Sequence, residues 1–80
     1  MLPSPPDQAV LDQQRRQTGD RIRRARGLRG LMQEALAERS GLDRKTISGL
    51  ENGTAGATHD QLARVAHGLG LPMWRLFWDE

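Results

Sequence analysis

Apolar residues in the middle of this chain recur at helical rather than strand spacing, in two short runs separated by a corner. In the segment QEALAERSGLDRKTISGLEN, from Gln33 to Asn52, Leu36 and Ala37 fall on one face of the first run. Ile47 and Leu50 fall on one face of the second run, and Leu42 lies between the two. The corner itself, Ser40-Gly41-Leu42, is built from small residues, and Gly41 suits a helix end where the chain turns with φ above zero. Ala37 stands where two helices crossing at a steep angle approach most closely, and a larger side chain would hold them apart. Asp43 directly precedes the second run, where a carboxylate accepts from free N–H groups and suits the positive end of the helix dipole. The pattern therefore predicts two helices joined by a tight corner, with their inner faces meeting.

The same period extends in both directions. A first helix is predicted from about Gly19 to Leu28, with Ile22 and Ala25 inward and Arg21, Arg23 and Arg24 outward. After a stop at Asn52-Gly53 and a loop over residues 54–57, Thr58-x-x-Gln61 forms a capping box. Leu62, Val65, Ala66 and Leu69 follow at helical spacing until Gly70 ends the helix. Leu71 and Pro72 lead into a last short helix, Met73 to Trp78. Every aromatic residue of the chain (Trp74, Phe77 and Trp78) lies there on one stripe, with Phe77 expected in the core and the two tryptophans outside. At the other end, three prolines make Met1 to Pro6 an extended arm. Ser4 and Pro5 also suit an N-cap and first helical position. Asp7 to Gln17 are good helix formers, yet only Ala9, Val10 and Leu11 are apolar, too few for a core-facing stripe. That segment reads either as a flexible tail or as a helical extension packing on something outside the domain. The expected fold class is all-α, a compact bundle of about five helices. Residues 1–17 form an arm or helical extension, and residues 18–80 form the domain.

Composition and charge sharpen this picture. Eighty residues support one domain with a small core. With no cysteine, neither a disulfide nor a thiolate metal site is available, which suits a reducing cytoplasm. No apolar run is long enough to span a membrane and no signal-peptide pattern opens the chain, so a cytoplasmic location without membrane association is expected. The formal net charge is only +2, but residues 15–29 hold seven arginines against one acid, Asp20, a local +6. One basic block on one element predicts a phosphate-facing surface, which includes Arg24. His59 and His67 are too far apart to share a metal at i, i+4 spacing, and no paired carboxylate joins them. Neither a Ser-His-Asp set nor a phosphate-binding glycine loop is present, so no enzymatic activity, cofactor or metal is expected.

The solvent side of the second corner helix carries Arg44, Lys45, Thr46 and Ser48, basic or short groups suited to phosphates and base edges. In its form L-x-Q-E-A-L-A-E-x-S-G-L-x-R-x-T-I-S-x-L-E-N-G, the run resembles the phage repressor and Cro helix-turn-helix family, also called the XRE family. The resemblance extends from about Gly19 to Phe77. It implies a lambda-repressor-like bundle whose third helix lies in the major groove of double-stranded DNA. Arg44 and Lys45 open that helix and are placed for guanine O6 and N7, with Thr46 and Ser48 as secondary readers. Gln33 resembles the family glutamine that clamps a phosphate, aided by backbone N–H groups. Asn52, Gly53 and Thr54 are expected to meet the opposite backbone. Arg26 resembles the family arginine that pairs with a glutamate late in the third helix, here Glu51. The chain departs from the family at Met32, where Ser or Thr usually caps the second helix. It departs again at Gly49, where many members place a long reader of bases. Gly27 and Gly30 are expected to loosen the end of the first helix. The function implied is sequence-specific DNA binding by a small transcriptional regulator, most naturally a repressor. It would act as a homodimer that pairs two half-sites through Trp74 and Trp78 or through Asp7 to Gln17. The alternative on the same fold is an antitoxin or adaptor module whose helices bind a protein partner.

Overall fold

The structure, a computed structural model, describes residues 3–54 and 56–78. Among them are four α-helices: α1 Gln8–Leu28, α2 Gln33–Ser40, α3 Arg44–Asn52 and α4 His59–Leu69. A 3-10 turn, Met73–Leu76, follows them. The expected bundle of about five helices thus has four α-helices and a single closing turn in place of the fifth.

Helix α1 is longer than its core-facing part requires. It runs unbroken for 21 residues and starts at Asp7, whose carboxylate accepts from the Val10 N–H at 3.0 Å. The cap is therefore Asp7 and not Ser4, and the helix starts well before the expected Gly19. The segment from Gln8 to Gln17 is helical, and part of it packs inside the domain. Arg15 lies over Gly56, and the backbone of Arg16 lies against Gly53. The far end of α1 is also more definite than its glycines suggest. Gly30 adopts φ 65°, and the Leu31 N–H returns to the Arg26 carbonyl at 3.1 Å. The glycine closes the helix through hydrogen bonds rather than loosening it.

The other boundaries follow local chemistry. Gly41, Gly53 and Gly70 end α2, α3 and α4 with φ of 68°, 67° and 70°, a conformation that a Cβ would strain. Asp43 caps α3 through the Thr46 N–H at 2.7 Å. Thr58 and Gln61 form both halves of the capping box of α4. Met32 supplies no side-chain bond to α2 and is exposed.

Ile22, Leu36, Ala37, Ile47, Leu50, Val65, Ala66, Leu69 and Leu76 form the core. Each large member contributes about 1.5–3 kcal/mol by leaving water. Leu76, not Phe77, closes this core: Leu76 is 0 % exposed and Phe77 46 %. A 3-10 turn has three residues per turn instead of 3.6, which swings the inward position back by one residue and the aromatic stripe outward. Two glycine crossings set the frame. Gly19 of α1 meets the carbonyls of Leu50 and Glu51 at the end of α3, and Gly68 of α4 meets Ser40 and Leu36 of α2.

Candidate nucleic-acid interface

The inner face of α3 fixes its outer one. Ile47, Leu50 and Glu51 are buried, and at 100° per residue this turns Arg44, Lys45, Ser48 and Asn52 away from the core. Arg44, Lys45 and Asn52 are exposed, and Thr46, Ser48 and Gly49 are half-buried. The Asp43 carboxyl at the start of the helix is held below its ordinary pKa by the backbone N–H of Thr46.

Glu51 is the polar centre beneath this face. Its side chain is fully buried, and Arg26 donates to it twice, from Nε to Oε2 at 2.6 Å and from Nη2 to Oε1 at 2.9 Å. The third nitrogen of Arg26 donates to the Leu31 carbonyl at 2.9 Å. The bidentate bond to Glu51 raises the pKa of Arg26 further, despite the opposing effect of burial. Gln33, the first residue of α2, donates from Nε2 to Glu51 Oε1 at 3.1 Å. One carboxylate therefore ties α1, α2 and α3 together and sets the angle between the two corner helices.

Arg23 adds a link that the outward-facing sequence pattern missed. Its Nη2 donates to the Glu51 backbone carbonyl at 3.2 Å and to Asn52 Oδ1 at 2.9 Å. Asn52 Nδ2 in turn lies 3.5 Å from Ser48 Oγ. Arg23 shares the face of Arg26 at i, i+3, and that spacing was the available signal. Gly19 was the second omission. It stands at i−3 from the inward Ile22, so its lack of a side chain on that face marks a close approach. At the end of α3, the Thr54 N–H and Oγ both donate to the Gly49 carbonyl, at 3.1 and 3.3 Å. Gln33, Glu51, Arg26, Arg23, Asn52 and Ser48 thus form one hydrogen-bonded set. Gly53 and Thr54 are beside it, and Arg24 is exposed on α1. Arg44 and Lys45 lie at the opposite end of α3. Trp74, Phe77 and Trp78 are elsewhere, 46 %, 46 % and 68 % exposed. Phe77 and Leu11 line an open groove with Ile22, Leu50 and Leu62.

Residues 22–73 match the family model described as Helix-turn-helix, HTH_3, which covers the corner and the helices on either side of it. The chain belongs to the HTH_3 helix-turn-helix family. Its structure resembles that of the restriction-modification controller protein C.AhdI from Aeromonas hydrophila, at 35 % identity and TM-score 0.77, covering 79 % of this chain and 96 % of that one. The clp gene regulator ClgR from C. glutamicum is similar at 31 % identity and TM-score 0.73, over 78 % of this chain and 80 % of that one. A hypothetical transcription factor, NHTF, from Neisseria matches at 29 % identity and TM-score 0.78, over 98 % of this chain and 87 % of that one. No curated protein matches the chain. The HTH_3 match begins at Ile22, so Gly19 and the extended part of α1 lie outside it.

Proposed function

We propose that this HTH_3 protein is a sequence-specific double-stranded DNA-binding transcriptional regulator, acting as a repressor in the cytoplasm by inserting α3 into the major groove. The observation that carries the reading is α3 itself. Its inner face is locked into the core, while Arg44, Lys45, Ser48 and Asn52 face outward in a chain of this family. The similar C.AhdI and ClgR are a controller protein and a gene regulator, which supports the same role here. In this reading Arg44 and Lys45 contact base edges, with Thr46 and Ser48 as secondary readers. Gln33, Asn52, Gly53, Thr54 and Arg24 hold phosphates and set the register. Gly49 contributes no side chain, so readout shifts toward the start of α3. A homodimer on paired half-sites supplies the remaining specificity, with the exposed Trp74, Phe77 and Trp78 as its pairing surface. No helix among the described residues is long and apolar enough to cross a membrane.

The test is selection of bound duplexes from a random pool, followed by affinities at one fixed salt concentration. Arg44→Ala should cost about 1–3 kcal/mol at its own base pair and relax preference there. Gln33→Ala should weaken every duplex alike. Equal losses on selected and scrambled duplexes for Arg44→Ala would remove it as a reader. A chain that retains no duplex but holds a stoichiometric protein partner would overturn the DNA reading in favour of an antitoxin or adaptor.

A further inference from the structure

We propose that Arg23 is a positioning residue for the DNA-facing side of α3. It locks the amide of Asn52 so that Asn52 turns its NH2 group, and not its carbonyl oxygen, toward Ser48 and the outer face of the helix. The inference rests on the DNA reading above and adds to it which atoms face the duplex.

An asparagine amide can present either its oxygen or its NH2 group in a given direction, and the two orientations fill almost the same space. A guanidinium has donors and no acceptor. With Arg23 Nη2 at 2.9 Å, the Asn52 atom facing it must therefore be Oδ1. The NH2 group is thereby turned the other way, and Nδ2 lies 3.5 Å from Ser48 Oγ, one helical turn earlier. Ser48 then accepts from Asn52, which leaves its hydroxyl proton to point elsewhere. Asn52, which could either donate or accept, is thus left with a donor on its outward side, and the Ser48 hydroxyl proton is free to point there as well.

Arg23 is itself held in place. The same Nη2 donates to the Glu51 carbonyl, its Nε lies 3.7 Å from the buried Glu51 carboxylate, and its Nη1 lies 3.8 Å from Asp20. Orientation therefore passes from the buried Glu51 through Arg23 and Asn52 to Ser48. The polarity that results suits phosphates and the acceptor groups of the major groove. Phosphate oxygens only accept, and so do guanine O6, guanine N7 and thymine O4 in the major groove. With the amide reversed, Asn52 would aim a carbonyl oxygen at a phosphate. A lysine at position 23 keeps the charge but has a single nitrogen, so it cannot place one donor on the Glu51 carbonyl and Asn52 while two others are anchored beside the Glu51 carboxylate and Asp20.

The experiment measures affinity of the full chain for its selected duplex and for duplexes changed one base pair at a time, at one salt concentration. Ser48→Ala identifies the base pair that Ser48 reads. Arg23→Lys should lower preference at that base pair about fivefold or more, the smaller end of a base contact, and leave preference at the Arg44 base pair intact. Asn52→Ala should do the same, and the double variant should lose no further preference than Asn52→Ala alone. Partial unfolding cannot imitate this result, because it lowers affinity for all duplexes together. Asn52→Asp still accepts from Arg23 but turns an anionic oxygen outward, so it should weaken all duplexes alike. Preference unchanged by Arg23→Lys, or additive losses in the double variant, would overturn the proposal. The side-chain amide resonances of Asn52 give a readout that does not depend on DNA. A shifted pair in the wild type should move to the free-asparagine position in Arg23→Lys, and an unmoved pair would exclude the lock. A wild-type chain with no sequence preference at all would instead overturn the DNA reading, while the amide resonances still decide the lock.

Discussion

Two helix crossings hold this domain together, and both use a glycine, but they are built from different forces. Where α1 crosses α3, Gly19 lets backbone meet backbone, and charged hydrogen bonds from Arg26 and Arg23 then fix the orientation around Glu51. Where α4 crosses α2, Gly68 rests on Ser40 and Leu36, and the Ser40 hydroxyl has no partner among the described residues. The first crossing is directional, since such bonds weaken steeply with misalignment. The second depends only on volume. The directional crossing is the one that carries α3, the helix proposed to present side chains to DNA. Volume suffices for α2 against α4, because the one α2 side chain in the polar set, Gln33, is oriented by Glu51 of the directional crossing.

The largest expected effect comes from removing the centre of the directional crossing. Glu51→Ala strands Arg26 in a mostly buried position and should cost about 3–5 kcal/mol in urea denaturation. A loss below 1 kcal/mol would mean that the network is not what holds α3. Next is Gly19→Ala. Its new Cβ would lie 2.5 Å from the carbonyl oxygens of both Leu50 and Glu51, and backbone cannot rotate out of the way. A cost of about 1–3 kcal/mol is expected, together with weaker DNA binding, because the displaced element is α3 itself. Calorimetric melting and a binding titration on the same sample would check both halves.

The volume crossing should break more gently. In Gly68→Ala the closest atom, at 2.5 Å, is Ser40 Oγ, which can turn aside, and the next contacts are Leu36 Cδ1 at 3.2 Å and the Ser40 nitrogen at 3.3 Å. The cost should be about 1 kcal/mol, and smaller still in a Ser40→Ala background. A double-mutant cycle would measure that coupling, and strict additivity would show that Ser40 is not the obstacle. The smallest effect concerns the start of α3. The pKa of Asp43 in the folded chain lies below its unfolded value. Its stabilising contribution is therefore present above the ordinary carboxylate range and is lost as pH falls through the folded value, below about pH 4. Asp43→Asn keeps an acceptor for the Thr46 N–H but cannot titrate. Its stability relative to the wild type should be constant near neutrality and should rise only at acid pH.

The legible parts of the chain were those governed by chemistry within a few residues. Gly41, Asp43, Thr58 with Gln61, and Gly70 each act on their nearest neighbours, so the boundaries of α2, α3 and α4 followed from the sequence alone. The inward residues Ile22, Leu36, Ile47, Leu50, Val65 and Leu69 followed from their period. The start of α1 did not, because Asp7 to Gln17 favour a helix without an apolar stripe to say what the helix would pack on. Phe77 and Leu76 are adjacent and both apolar, and only the tighter winding of the last turn decides between them. The roles of Arg23 and Gly19 depend on a partner about thirty residues downstream. No local pattern encodes the distance between α1 and the end of α3.

The uninterrupted course of α1 has a mechanical consequence. A straight helix rises 1.5 Å per residue, so its first residue, Gln8, lies roughly 16 Å along the axis from Gly19. No hinge separates the two. The contact of Gly19 with the end of α3 then acts as a fulcrum, and the stretch from Gln8 to Thr18 acts as an arm. Arg16 against Gly53 and Arg15 over Gly56 brace that arm near its pivot. A load applied near Asp12 would be shared between these braces and the Gly19 contact with α3. The exposed Val10 and Leu11 lie toward the far end of the arm, where a small force has the longest leverage on α3.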